Sequence, residues 1–422
     1  MSVEEQNLLQ KYLLIFFLGQ LLDLPTLNSI LEEYGISSNK VSKKFSELQS
    51  KISVRDILKL YEKVFEEQLE VCLSDLCEKH SCIFSRDLVT VVLDDSVFKQ
   101  WLSSFREGET FDGFYGKFFS GQTKSSVYGF RILCLGICID GIFYPLYLEY
   151  VKTSASEKGD AIKKAERLIK RFGEFRTSFN KKLAQNAENA ENAENAENAE
   201  NKIELPRLHF SCDNGYSDKT LAECCDKNYL IYISVPKKSH YFTIDNQSIK
   251  LSDWIKQVFE PLEQVYIEEQ KELVKKGKQE KIKPFIYRFK GYYRSKKMNL
   301  TLIAFRLNGS RKVSIVYSNS NTIFRKTMRR HWFQRTYIEQ FFKILKHVLK
   351  IQESTTKDKR NFTFKLLRFM WMGLHVQKLV RVCKKSKRKI DFRNKGFKAI
   401  QRCVRKDDAL NDLLQKLIAD LN

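Results

Sequence analysis

Three carboxylates in this sequence stand where they could do chemistry together. Asp95 ends the β-branched run DLVTVVLDD, and Asp213 ends LPRLHFSCD. Strand ends are where α/β folds place functional groups. Glu339 lies in HWFQRTYIEQFFKILKHVLK, a stretch with helical periodicity. At roughly 100° per residue, Trp332, Arg335, Glu339 and Lys346 fall within an arc of about 60°, with Lys343 and Lys350 close beside them. Tyr337, Phe341, Ile344, Leu345 and Val348 lie on the opposite side. The apolar face can therefore pack on a sheet while one carboxylate is presented amid cations. Carboxylates are hard oxygen ligands suited to Mg²⁺ or Mn²⁺. Two such ions can activate a nucleophile and stabilise a leaving oxygen at a phosphodiester.

Each of these residues also has a plainer reading. A strand-end Asp forms turns or caps helices. Arg335, Glu339 and Lys343, at four-residue spacing, can make surface ion pairs. Asp94 points to the face opposite Asp95 if the strand persists. Ser96 follows Asp95, and Asn214-Gly215-Tyr216 follows Asp213 as a turn.

The charge balance favours a polyanionic partner. The chain has 422 residues and a formal net charge of +23, densest from about Lys281 to Arg405. Lys and Arg neutralise phosphates and release counterions, which makes nucleic acid the leading partner class. Hydrophobic residues make up 43% of the chain, enough for a sizeable core, and the length suggests two or three domains. No stretch reaches the roughly 18 apolar residues of a membrane span. Acidic residues precede the first apolar run, unlike a secretory signal. Ten Cys at irregular spacing do not outline a disulfide framework. These features predict a cytoplasmic, DNA-associated protein with no membrane partner.

The elements that must position the carboxylates can be outlined in order. Residues 1–85 read as helical. Within them LPTLNSILEEYGISSNKVSKKFSEL outlines a helix-turn-helix, with Lys40, Lys43 and Lys44 on its second helix. Residues 86–240 read as the first part of a mixed α/β core. They include two strands around an Asp140-Gly141 hairpin turn, and a helix with Ile162, Ala165, Leu168 and Ile169 on its apolar face. The Asn-Ala-Glu repeat at 185–201 reads as a solvated helix or a disordered insert. Residues 241–310 read as an inserted subdomain, 311–350 as completion of the core with its catalytic helix, and 351–422 as a basic helical region.

Trp332-x2-Arg335-x3-Glu339-x6-Lys346 resembles the Tyr-x2-Arg-x3-Glu-x6-Lys signature of DDE transposases in the insertion-sequence-four family, with Trp in place of Tyr. LDDSVFK and HFSCDNGY resemble that family's first- and second-aspartate segments, and VYSNS resembles its final strand and turn. The resemblance implies an RNase H-like core with an insertion between the second Asp and the Glu. It implies that Asp95, Asp213 and Glu339 bind two Mg²⁺ or Mn²⁺ ions. It also implies that Trp332, Arg335 and Lys346, with Lys343 beside them, contact DNA. The expected activity is cut-and-paste transposition by a homodimer. It would bind terminal inverted repeats, cleave double-stranded DNA through hairpin ends, and transfer the strands to target DNA. The alternatives are an RNase H-like nuclease without strand transfer and an inactive DNA-binding remnant.

Three further groups carry weaker signals. Cys72-x4-Cys77-x2-His80-x-Cys82 has zinc-compatible ligand types at an uncommon spacing, and helical Cys are usually core residues. His331 could assist phosphate binding or be a plain surface residue. KKSKRKIDFRNK reads as a phosphate-binding run or a solvated basic face.

Overall fold

A computed structural model describes residues 43, 47, 53–79, 89–99, 114–120, 125–152, 157–191, 204–307, 310–348, 351, 362–363, 365–370, 373–374 and 377. The helix-turn-helix outline apart from Lys43 and Glu47, the repeat beyond residue 191, and the basic run at 384–395 lie outside the described residues. Two compact units are present. One comprises Gln68–Val97 and Arg131–Gln340; the other comprises Met1–Glu67, Phe98–Phe130 and Phe341–Asn422.

The strands are β1 (Thr90–Lys99), β2 (Tyr115–Ser120), β3 (Ser125–Ile139), β4 (Ile142–Val151), β5 (Leu208–Cys212), β6 (Leu230–Ser234), β7 (Tyr241–Ile244), β8 (Gln247–Lys250), β9 (Ile286–Tyr293), β10 (Met298–Arg306) and β11 (Val313–Ser318). The helices are α1 (Val54–Lys79), α2 (Glu157–Glu191), α3 (Lys219–Lys227), α4 (Leu251–Trp254), α5 (Glu260–Lys275) and α6 (Arg325–Lys343). The expected mixed α/β class is what the chain adopts.

In the first unit the sheet runs β4-β3-β1-β5-β6-β11-β10-β9-β7-β8. β1, β5 and β6 are mutually parallel in that order. β3 and β4 form an antiparallel hairpin, and the strands from β11 outward are antiparallel. The β3–β4 turn uses Asp140 and Gly141 at φ 47° and 80°, the left-handed pair that a two-residue hairpin turn needs. A β-bulge interrupts the β3–β4 register between Leu135 and Gly136, where a Cβ on Gly136 would strike the Phe143 ring and the Tyr144 carbonyl. Parallel β5 and β6 are joined through α3, whose N-cap Asp218 accepts from the Thr220 amide.

The segment expected as an inserted subdomain extends this same sheet. β10 pairs with β11 from Thr301↔Ser318 to Arg306↔Val313, and β9 pairs with β10 along its whole length. Between β8 and β9 the chain forms α4, a π-turn at Ile255–Phe259, and α5. Arg306 of β10 holds α5 through Glu263 at 2.9 Å and Glu260 at 3.2 Å.

α2 buries Ala161, Ala165, Leu168, Ile169, Phe172, Phe175 and Phe179. Its Lys164 donates to the Tyr150 carbonyl of β4, and the Glu166 carbonyl accepts from Cys224 of α3. The expected apolar face is therefore present, with Ile162 at its margin and Ala161 inside. α2 continues into the first Asn-Ala-Glu repeats, as far as Glu191.

In the second unit, Ser53 caps the start of α1 by accepting from the Asp56 amide at 3.2 Å. Ile57, Tyr61 and Phe65 follow at four-residue spacing and are buried, and Tyr61 reaches the Met370 sulfur at 3.7 Å. Phe130 stacks on Phe362 with centroids 4.3 Å apart. A Cβ on Gly373 would lie 2.9 Å from the Phe341 ring, so glycine allows that close approach. Among the described residues no helix is long and apolar enough to cross a membrane.

Candidate active site

The site is built on the ends of two parallel strands and one helix. β1 and β5 pair in register as Thr90↔His209, Val91↔Phe210, Val92↔Ser211 and Leu93↔Cys212. Asp94 and Asp213 each follow the last paired residues of this register, close enough for the Asp213 charge to act on Asp94. Side chains alternate along a strand, and paired positions share a face. Contacts with α6 identify that face. His331 of α6 lies 2.7 Å from Thr90 through Nδ1 and stacks on His209 with centroids 3.8 Å apart. Thr90, Val92 and Asp94 on β1 therefore face α6, as do His209, Ser211 and Asp213 following β5.

Arg335 of α6 connects the carboxylates on this face. Its Nη1 lies 2.6 Å from Glu339 Oε1 and 3.5 Å from Asp94 Oδ2. Arg335 and Asp94 are only 15% and 14% exposed, whereas Glu339 is 38% exposed, so the carboxylate farther along the helix is the one open to solvent. Burial raises the Asp94 carboxyl well above the ordinary range, and the charges of Asp95 and Asp213 add to the effect while Arg335 opposes it. Burial works against the Arg335 cation, but Asp94, Glu339 and Asp213 together hold its pKa above the ordinary guanidinium value. Asp94 and Glu339 thus share one guanidinium, and the Asp213 charge acts on it from farther off.

Asp95 turns to the other face. Its Oδ2 accepts from Arg131 of β3 at 2.8 Å and from the Tyr216 hydroxyl. Tyr216 is buried at the end of the short 3-10 turn Asn214–Tyr216 that follows Asp213. The structure therefore groups Asp94, rather than the expected Asp95, with Asp213 and Glu339. Alternation along the strand shows that Asp94 and Asp95 diverge, but only the packing of α6 reveals which one meets Glu339. Arg131 and Tyr216 carried no sequence signal of their own.

The other expected contact residues are distributed along α6 and just beyond. Trp332 packs against Phe305 of β10 and against Phe333, and its buried Nε1 has no hydrogen-bond partner among the described residues. Lys343 is exposed at the last residue of α6. Lys346 sits in a π-turn, Ile344–Val348, with Nζ over the Phe98 ring at 5.3 Å. A π-turn changes the angular step per residue, so Lys346 does not keep the phase that a uniform α-helix gives it. Phe341 and Leu345 are buried as expected, but the buried face of α6 differs from expectation earlier in the helix. His331, Gln334 and Ile338 are buried with Met328, while Tyr337 is only half-buried. His331 is thus a packed residue against the sheet and presents no surface for phosphate. Burial holds its pKa down to about 2, with His209 and Arg330 contributing, and burial with Arg207 holds His209 down to about 4. In the candidate zinc group, the Cys72 thiol donates to the Tyr144 hydroxyl at 3.4 Å, and the side chains of Cys77, His80 and Cys82 lie outside the described residues.

As the side chains stand, no three His, Cys, Asp or Glu groups among the described residues converge tightly enough to hold a metal ion. The donor chemistry nonetheless fits a divalent ion. All three carboxylates are hard oxygen donors, and the gap between Asp94 and Glu339 already accommodates a cation, the Arg335 guanidinium. No protein-family model matches this chain, and no curated protein matches it.

Proposed function

We propose that this chain is a DDE-type DNA transposase in which Asp94, Asp213 and Glu339 supply the metal-binding carboxylates. The observation that carries this reading is the shared face of Asp94 and Asp213 on adjoining parallel strands beneath the Arg335–Glu339 turn of α6. Further support comes from the Trp332-Arg335-Glu339-Lys346 spacing and the net charge of +23. The order β4-β3-β1-β5-β6, with an antiparallel hairpin followed by parallel strands, supports an RNase H-like core. β7–β10 lie between Asp213 and Glu339 in the chain, where the family resemblance puts an insertion.

When bound, two Mg²⁺ or Mn²⁺ ions would polarise the phosphodiester and stabilise charge on the attacking and leaving oxygens. Asp94, Asp213 and Glu339 would hold them. Arg335 would then give up its carboxylates and turn its planar donors to a DNA phosphate, the geometry a guanidinium suits. His331 and His209 fix α6 on β1 and β5, which keeps Glu339 above the strand ends. The DNA partners would be the terminal inverted repeats and a target duplex, with a homodimer pairing two ends and hairpins as the excision intermediate.

The test uses duplexes bearing the inverted repeats that flank the gene, with Mg²⁺ or Mn²⁺, and pre-cleaved ends with a target plasmid. Metal-dependent cleavage and joining are expected. Asp94→Asn, Asp213→Asn and Glu339→Gln should each lower the rate by at least about 10²-fold, the scale of losing one charge stabiliser in a transition state. Cleavage without joining would favour a nuclease. Binding without cleavage in either metal would refute the reading.

A further inference from the structure

We infer that Asp95 and Tyr216 form a positioning pair that sets the Asp213 carboxylate, a role that rests on the proposed metal site. Asp213 stands at the N-cap of the 3-10 turn Asn214–Tyr216, and its side chain accepts from the Asn214 amide at 2.7 Å. The Tyr216 amide donates back to the Asp213 carbonyl at 3.0 Å and closes the turn. Three contacts then fix that turn to the sheet. The Tyr216 hydroxyl donates to Asp95 Oδ2 on β1, the Tyr232 hydroxyl of β6 donates to the Tyr216 carbonyl at 2.5 Å, and Ser234 donates to the Asp213 carbonyl at 3.3 Å.

Asp95 is the contact that couples the two halves of the site. It follows Asp94 directly on β1, and through Tyr216 it grips the turn that carries Asp213. Arg131 donates to the same Oδ2 at 2.8 Å and holds the Asp95 carboxylate in place. Asp94 and Asp95 therefore divide the labour by strand alternation. One presents an oxygen towards α6, and the other, on the far face, clamps the neighbouring loop. A ligand carboxylate that can wander by a rotamer binds metal less tightly than one held by outer hydrogen bonds.

Mn²⁺ binding to the full chain without DNA, read by electron paramagnetic resonance, tests this. Tyr216→Phe keeps every charge and removes only the hydroxyl, and it should weaken Mn²⁺ by about 10-fold. Asp95→Ala should weaken it at least as much. The double variant should be no weaker than Asp95→Ala alone, because Asp95→Ala already removes the Tyr216–Asp95 bond that Tyr216→Phe removes. Asp95→Asn retains an amide oxygen for the Tyr216 hydroxyl and should recover part of the loss. Asp94→Asn should lose binding more severely than any of these. If Tyr216→Phe fails to fold, the comparison of Asp95→Ala with Asp95→Asn carries the test. Wild-type affinity in Tyr216→Phe would overturn the inference, and so would Asp95→Asn as severe as Asp94→Asn. In the first case the Asp94–Asp213–Glu339 reading would survive, and in the second Asp95 would count among the ligands. A wild-type chain that binds no Mn²⁺ would remove both.

Discussion

The stacked pair His209–His331 makes the seat of α6 sensitive to acid. Both rings are neutral in the folded chain, with pKa values pushed down to about 4 and about 2 from an ordinary 6.5. In the unfolded chain each takes a proton near pH 6.5. Between these limits the unfolded state binds more protons, so stability falls as pH drops below about 6.5. At pH 5 the unfolded ring lies 1.5 pH units past its midpoint, and each pH unit corresponds to about 1.36 kcal/mol. The cost is about 2 kcal/mol for buried His331, and less for half-buried His209 where solvent screens the charge. A total of about 2–4 kcal/mol is a large part of the roughly 5–15 kcal/mol that holds a domain folded. Asp94 acts in the opposite sense, since its raised pKa makes the folded state the better proton acceptor in acid. The difference between wild type and the His209→Phe/His331→Phe variant cancels that contribution, because the variant keeps two stacked rings and removes their titration. Urea unfolding from pH 7.5 to 5 should show the wild type losing about 2–4 kcal/mol relative to the variant. A pH-independent difference would refute the buried, neutral assignment.

Other expectations follow from the same geometry. Arg335→Ala removes the cation that competes for Asp94 and Glu339, so Mn²⁺ affinity without DNA should rise while DNA affinity falls, measured by Mn²⁺ titration and gel shift. Gly136→Ala places a methyl against the Tyr144 carbonyl and the Phe143 ring at the β3–β4 bulge. It should cost about 1–3 kcal/mol in urea unfolding, the usual range for overpacking. DNA affinity should fall steeply with salt, with a log–log slope of about −0.9 per phosphate neutralised, and replacing a cation that contacts phosphate should lower that slope by about one.

Much of the architecture was legible beforehand. The Asp140-Gly141 pair reads as a hairpin turn because few residues accept left-handed φ, and both do so here. The helix beginning near residue 157 follows from its apolar period. The sheet continuing through β9 and β10 was less legible. Basic, aromatic strands fit a separate subdomain as well as an extension of the core, and only the pairing of β10 with β11 decides between them. Uniform helical geometry gives Lys346 a phase that the π-turn at Ile344–Val348 breaks. His331 carries no local sign of burial, because its stacking partner, His209, lies more than a hundred positions away on β5.

The carboxylates divide the same way. That acidic residues close two strands, that a basic helix carries Glu339 four positions after Arg335, and that Asp94 and Asp95 point apart can all be read along the chain. All of these are properties of local periodicity. Which aspartate meets Glu339 depends on which face of β1 receives α6, and that is set by contacts between residues far apart in the chain. Thr90 and His209 against His331 make that choice, turning Asp94 towards Arg335 and leaving Asp95 to Arg131 and Tyr216.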